Sequence, residues 1–215
     1  MITEQLNKIG QRAYSTRETI QNSYDMGKYV TDNNIPGVII ECGLGAGSNF
    51  AAMMLGGGES RQYIGFDSFE GIQLAGKKDT AQAGIGAITH NVNVPESELL
   101  VSSGISSHSK NSVLDNLVEW GLGDYYVLFK EGWVQNTITD NMFESIAIIR
   151  LDMDIYDPTK FALEKLYPLL SIGGVLIIDD WELDGVRLAC DEYFEGKNVE
   201  WLSIENSGPK YLIKK

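Results

Sequence analysis

The sequence predicts a single α/β domain on a mostly parallel sheet of seven strands, closed by a C-terminal antiparallel hairpin. Three observations carry that prediction. Val38 to Asn49, VIIECGLGAGSN, runs β-branched residues into an acid and then glycines at 43, 45 and 47, with the helix-forming FAAMML directly behind. Strand, glycine turn and helix start make the first half of a βαβ unit that binds a nucleotide-like ligand. Further apolar runs at 62–66, 125–130, 145–151 and 175–178 alternate with helical patterns, and three of them end on aspartates, Asp67, Asp152 and Asp179. Finally, VEWLSI at 199–204 and KYLIK at 210–214 flank Asn206-Ser207-Gly208-Pro209, a turn signal between two short strands.

Taken in order, residues 3–12 read as a short helix, and a second helix begins after Ser15 or Thr16, either of which can cap it. Ile20, Tyr24 and Tyr29 give that helix only a loose apolar stripe, so residues 1–34 form a helical cap that completes the core or flaps over a ligand. Asn33-Asn34-Ile35-Pro36-Gly37 stops it. Residues 71–108, rich in Gly, Ala and Ser, read as a substrate-side excursion, with His90 and His108 towards its ends as loop histidines. Lys110 to Trp120 is a helix with Val113, Leu114, Leu117 and Val118 at helical spacing. After the strand at 145–151, Pro158 sits in the first turn of a helix, where proline is tolerated. Phe161, Leu163, Leu166, Leu169 and Leu170 give that helix its apolar face, and Gly173-Gly174 stop it before the strand at 175–178. Leu183 to Phe194 is the last helix.

At 215 residues, 43% hydrophobic and 22% charged, the chain has the composition of one globular domain. A net charge of −13 argues against nucleic acid or an anionic membrane surface, because binding phosphates needs clustered Lys and Arg. No apolar run approaches the roughly 18 residues that span a bilayer, and MITEQLNKIGQR lacks an apolar signal region. Cys42 and Cys190 read as two buried free thiols, consistent with a reducing cytoplasm.

The chemistry lies at the strand ends. A dinucleotide fingerprint would need glycine where this chain has Ser48. That disfavours a diphosphate and favours a ligand with a cationic or amine end near Glu41; S-adenosylmethionine fits. Asp67, 24 residues beyond Gly43, stands where an acid accepts from ribose hydroxyls, though it could equally cap a helix. Trp133, in the turn after the third strand, could stack on an adenine or fill the core. Asp152 and the Asp179-Asp180 pair converge on the rim where open parallel sheets bind ligands. Three carboxylates with no Lys or Arg between them require a proton or a cation, unless each caps its own helix. Oxygen donors without Cys or His favour Mg²⁺ or Ca²⁺ over zinc.

NNIPGVIIECGLGAGS, YIGFDSFEGI, KEGWVQNTI, RLDMDIYDPT, LYPLLSIGGVLIIDDW and ACDEYF together resemble, in order and spacing, the TylF-type macrocin O-methyltransferase family from about residue 14 to 195. The resemblance implies a three-layer, Rossmann-like class I methyltransferase sheet and an S-adenosylmethionine- and Mg²⁺-dependent enzyme that methylates a hydroxyl of a small molecule, typically a sugar on a natural product. It implies that Glu41, Gly43, Gly45 and Gly47, with Ser48, line the methionine end of the cofactor. Asp67 and Ser68 would hold the ribose, and Gly132, Trp133 and Gln135 the adenine. Asp152, Asp179 and Asp180 would be the metal ligands. Where some relatives place a histidine base this chain has Ile155, so proton removal falls to Asp152 or Asp154. Family members often carry Tyr-Glu-Ser-Thr where this chain reads Tyr156-Asp157-Pro158-Thr159, and a tyrosine where it has Trp181. Competing readings are a nicotinamide-dependent oxidoreductase or epimerase, disfavoured by Ser48 and the lack of a Tyr-x-x-x-Lys pair, and a non-catalytic cofactor-binding module. The N-terminal helix leaves a homo-oligomer open.

Overall fold

In a computed structural model, which describes residues 2–79 and 98–215, the strands are β1 (Val38–Cys42), β2 (Gln62–Asp67), β3 (Tyr126–Glu131), β4 (Ile146–Leu151), β5 (Leu170–Ile178), β6 (Leu202–Ser203) and β7 (Lys210–Ile213). They form one sheet in the order β3-β2-β1-β4-β5-β7-β6. The first five run parallel; β7 lies antiparallel to β5, and β6 antiparallel to β7. Every residue of β4 is buried, as a central strand covered on both faces requires.

The helices are α1 (Ile2–Gly10), α2 (Arg17–Asp32), α3 (Ser48–Gly57), α4 (Lys110–Glu119), the single turn α5 (Val134–Thr137), α6 (Tyr156–Leu166) and α7 (Asp184–Phe194). Successive strand residues point to opposite faces. Ile39, Tyr63 and Ile148 therefore pack with α1 to α4, whereas Ile40, Ile64 and Ile149 pack with α6 and α7. Thr16 caps α2 by accepting from the Thr19 N–H at 3.2 Å. Then α2 and α3 meet backbone to backbone: a Cβ on Gly27 would collide with the Met53 carbonyl, and one on Gly56 with that of Tyr24.

Two elements differ from the sequence expectation: the run at 199–204 pairs only over Leu202–Ser203, and the stretch after Pro158 breaks early. The apolar run after Pro158 is not one helix up to Gly173. Helix α6 ends at Leu166, a 3-10 turn follows over Tyr167–Leu169, and Leu170 already belongs to β5. Pro168 offers no N–H to continue an α-helix, so the ladder stops there. Ile146 pairs with Leu170 but Ile148 with Val175, so Gly173 and Gly174 sit within an irregular stretch of strand.

The two described ends of the 71–108 excursion pair with each other, Gln73 bridging Ser102. Asp79 pins the first end to α6, accepting from the Tyr156 N–H at 2.8 Å. His90 lies outside the described residues. His108 is half-buried and meets the Tyr14 ring edge-on at 5.8 Å.

Candidate functional site

At the carboxyl ends of β1, β2, β4 and β5 lies a cavity of about 360 Å³, on the rim where α/β sheets bind ligands. The three glycines of the first turn have different reasons to be glycine. A Cβ on Gly43 would strike the carbonyl oxygen of Asp152, so this residue lets the ends of β1 and β4 approach. Gly47, with φ of 83°, faces Val113. Gly45, with φ of 51°, has nothing within 4 Å of the position its Cβ would take, and it lines the cavity. Only there does the missing side chain leave room for a ligand.

Asp67 holds the turn: one oxygen accepts from the Leu44 N–H and the other from the Phe69 N–H, each at 2.7 Å. Burial pushes its carboxyl up from the usual range and these N–H groups pull it back. The Gly45 N–H is a third donor to this carboxylate, which leaves one of its lone pairs for a hydroxyl. Ser68 donates to the Gly71 carbonyl at 2.9 Å and lines the same wall. Gly132, with φ of 127°, turns the chain so that Trp133 and Gln135 reach the cavity. Gln135 donates through Nε2 to Gln73 at 2.9 Å, while its Oε1 is buried without a partner among the described residues. An orphaned buried acceptor costs about 1–3 kcal/mol, and the exocyclic amine of an adenine would satisfy it. The adenosyl group therefore fits this end.

Residues from the N-terminal arm complete the wall. Asn49, on α3, accepts from the Ser23 hydroxyl at 2.9 Å and donates to the Ser15 hydroxyl at 2.8 Å. Ser15, which accepts there, lines the cavity. Arg12 is held beside it by Asn116 and by Glu119, the latter at 2.6 Å.

The opposite end is acidic, and here the structure corrects the sequence reading. The carboxylates do have a cation between them. Arg150, fully buried on β4, donates through Nη1 to Glu41 at 2.6 Å and to Asp152 at 2.7 Å, and through Nη2 to Asp179. The cationic partner expected for Glu41 is therefore a protein side chain, and Glu41, 1% exposed, stands behind the cavity wall. The signal was present in the sequence: an arginine inside the buried run IAIIRL, whose register places it beside Glu41 on β1.

Around this hub, one oxygen each from Asp152, Asp154 and Asp180 lie within 4.8 Å of one another. Asp154 has φ of 64°, unusual for a residue with a side chain. Its N–H donates to Asp180 at 3.0 Å, which holds it there. Burial and mutual repulsion push Asp154 up to about 8 and raise Asp180; burial also pushes Asp179 up to about 7, against the opposing pull of Arg150. A set of hard oxygens that resists holding all its negative charges fits a hard divalent cation. Sequence reading also passed over Asn49 at the end of the first motif, and over Arg12, Ser15, Gln73 and Glu182, all of which line the cavity.

Comparison with known proteins agrees with this architecture. The family model described as macrocin-O-methyltransferase (TylF) matches residues 11–205. The 8-demethyl-8-(2,3-dimethoxy-alpha-L-rhamnosyl)-tetracenomycin-C 4'-O-methyltransferase of Streptomyces olivaceus is 34% identical over 168 residues, which cover 76% of this chain and 60% of that protein. The mycinamicin III 3''-O-methyltransferase of Micromonospora griseorubida is 30% identical, over 82% of this chain and 68% of its own length. The chain thus spans about 60–68% of the length of these relatives. Among solved structures, the O-methyltransferase NovP superposes with a TM-score of 0.75 at 25% identity, covering 94% of this chain and 83% of its own. The calicheamicin methyltransferase CalS11 shares the fold at a TM-score of 0.60 and 18% identity, covering 98% of this chain and 91% of its own. With nine-tenths of its length matched by one family model, the chain belongs to the macrocin-O-methyltransferase (TylF) family.

Proposed function

We propose that this protein transfers a methyl group from S-adenosylmethionine to a hydroxyl of a small molecule, a sugar carried on a natural product, with the help of Mg²⁺. The observation that carries the proposal is the cavity itself. An adenosyl-shaped end (the open Gly45 position, Asp67, the orphaned Gln135 oxygen) and a carboxylate end (Asp152, Asp154, Asp179, Asp180) face one space. The tetracenomycin relative acts, by its name, on a rhamnosyl compound, which favours the same acceptor class here.

In this reading Gly45 and Gly47 with Ser48 hold the methionine end, with Gly43 and Glu41 shaping the turn behind it. Asp67 and Ser68 hold the ribose, and Gly132, Trp133 and Gln135 the adenine. Asp152, Asp179 and Asp180 are the residues that would hold the dication. When bound, it supplies Lewis acidity that lowers the pKa of the acceptor hydroxyl. Asp154 is the proton acceptor, because no described residue donates to its carboxylate whereas Asp152 gives one oxygen to Arg150. The acceptor oxygen attacks the methyl carbon, the C–S bond breaks with its electron pair going to sulfur, and the hydroxyl proton passes to Asp154. Holding donor and acceptor in line supplies much of the rate.

Thermal melts with S-adenosylmethionine, S-adenosylhomocysteine and NAD⁺, each with and without Mg²⁺, test this directly. Stabilisation by both adenosyl ligands and not by NAD⁺ is expected; stabilisation by NAD⁺ alone would overturn it. Asp154→Asn should lower kcat by about 10²–10⁴-fold, the usual contribution of a general base, while leaving that ligand stabilisation in place.

A further inference from the structure

One carboxylate of the cavity takes no part in the proposed reaction. Glu182 lines the cavity just beyond the Asp179-Asp180 pair, and it is exposed, so it stands at the mouth. It is not among the acids whose oxygens converge within 4.8 Å, which are Asp152, Asp154 and Asp180. Among the described residues none donates a hydrogen bond to it or forms an ion pair with it. Burial is the main reason that the Asp179 carboxyl is raised, and the Glu182 charge adds to it, so these two acids share one end of the cavity. The closing hairpin sets where the Glu182 side chain lies. A Cβ on Gly208, in the turn between β6 and β7, would collide with both of its carboxylate oxygens. That turn is pinned in its own right. The Ser207 hydroxyl shares a hydrogen bond with that of Thr19 at 2.5 Å and accepts from that of Thr16 at 3.2 Å, at the start of α2. The turn backbone therefore closes one side of the carboxylate, and the cavity lies open on another.

We propose that Glu182 is a specificity-determining residue for the acceptor: its two oxygens accept from a pair of neighbouring hydroxyls on the sugar that receives the methyl group. This rests on the sugar acceptor proposed above. Arg150 engages Asp152 and Asp179, and Asp154 and Asp180 belong to the converging acids, so Glu182 is the carboxylate left for the acceptor itself. An ionised carboxylate only accepts, through two oxygens side by side, and neighbouring hydroxyls offer two donors at a matching spacing. Hydrogen bonds to an ionised group are roughly twice as strong as neutral ones, so one such residue suffices to rank acceptors. Met153 and Pro158 add apolar surface to the same cavity, which suits the C–H face of a sugar ring.

The test changes protein and acceptor together. Methyl hexopyranosides and their mono-deoxy derivatives are supplied with S-adenosylmethionine and Mg²⁺, and S-adenosylhomocysteine release is followed for wild type, Glu182→Ala and Gly208→Ala. Gly208 does not have a left-handed φ, so alanine there displaces the Glu182 carboxylate without straining the backbone. With the best methyl glycoside, Glu182→Ala should raise KM about tenfold and leave kcat nearly unchanged, because the contact is made alike in ground and transition states. Removing one of the paired hydroxyls should cost wild type about tenfold and the variant nothing, the non-additivity of a direct contact. Gly208→Ala should show the same pattern in weaker form, and S-adenosylmethionine should stabilise both variants as it does wild type. A structural role would lower stability without erasing the discrimination between hydroxy and deoxy acceptors. Deoxy derivatives that lose as much in Glu182→Ala as in wild type overturn the assignment and leave the sugar acceptor standing. So does a preference for an amino over a hydroxy glycoside that Glu182→Ala abolishes, since Glu182 would then pair with a cation. Wild type that methylates none of the glycosides, while S-adenosylmethionine still stabilises it, overturns the sugar reading and this inference with it.

Discussion

At the scale of single residues, the first glycine turn separates architecture from ligand binding. Gly43 is glycine because the Asp152 carbonyl occupies the place of its Cβ, and Gly45 because its φ of 51° faces open space in the cavity. Gly43→Ala should cost about 3 kcal/mol or more through collision and left-handed strain together, lowering Tm by roughly 6–12 °C in a chain of this size. Gly45→Ala should cost only about 1 kcal/mol of stability yet weaken S-adenosylmethionine binding about tenfold, equivalent to about 1.4 kcal/mol. Melting curves and calorimetry on both variants check this, and equal effects on stability would refute it. The sequence showed all three glycines and their spacing. It could not tell them apart, because the surroundings of each are set by distant segments: the chain just beyond β4 at Gly43, α4 at Gly47 and the open cavity at Gly45.

At the scale of elements, the N-terminal helices are part of the site's foundation. Helices α2 and α3 touch through Gly27 and Gly56, so the turn at Gly43–Gly47 is backed by a helix pair with no slack. The C-terminal end of α2 leans on Arg61, which donates to the carbonyls of Val30 and Ile35 at 2.8 and 2.9 Å and to that of Gly37 at 3.0 Å. The last carbonyls of a helix have no partners within it, and a charged donor satisfies them better than water can. Arg61→Met should therefore cost about 2 kcal/mol. Its signature should be faster hydrogen exchange at the amides of Asn33–Val38, with the β4–β5 amides less affected. Uniform acceleration across the sheet would instead indicate global loss of stability. Strands and helices were legible from periodicity, since burial on one face is imposed locally. Where α6 gives way to β5 was not. Pro168 marked the break, but the irregular pairing of β5 with β4 depends on what β4 presents.

At the scale of the whole molecule, the charge of −13 is concentrated usefully. Asp67, Asp152, Asp154, Asp179, Asp180 and Glu182 line the cavity, and among the described residues Arg12 is the only Lys or Arg lining it. A cationic sulfonium should feel this field more than the neutral thioether left after transfer. Raising ionic strength from about 0.05 to 0.5 M, which shortens the screening length severalfold, should weaken S-adenosylmethionine binding about two- to threefold more than S-adenosylhomocysteine binding. Parallel calorimetric titrations check this, and identical salt dependence would count against an acid-dominated cavity.

The sequence by itself determined the α/β class, the order of the strands along the chain, the closing hairpin and the positions of Asp67, Asp152, Asp179 and Asp180 at strand ends. All of these follow from local periodicity and turn chemistry, which neighbouring residues suffice to express. Tertiary structure alone decided that Arg150 divides the carboxylates, that Glu41 serves it from behind the wall, that Asp154 joins the cluster, and that Arg12, Ser15 and Asn49 enter the cavity. Those outcomes turn on register across β1, β4 and β5 and on how an N-terminal arm is laid over them. An ion pair between residues 109 positions apart leaves no periodic trace in the chain; it exists only once the strands are side by side.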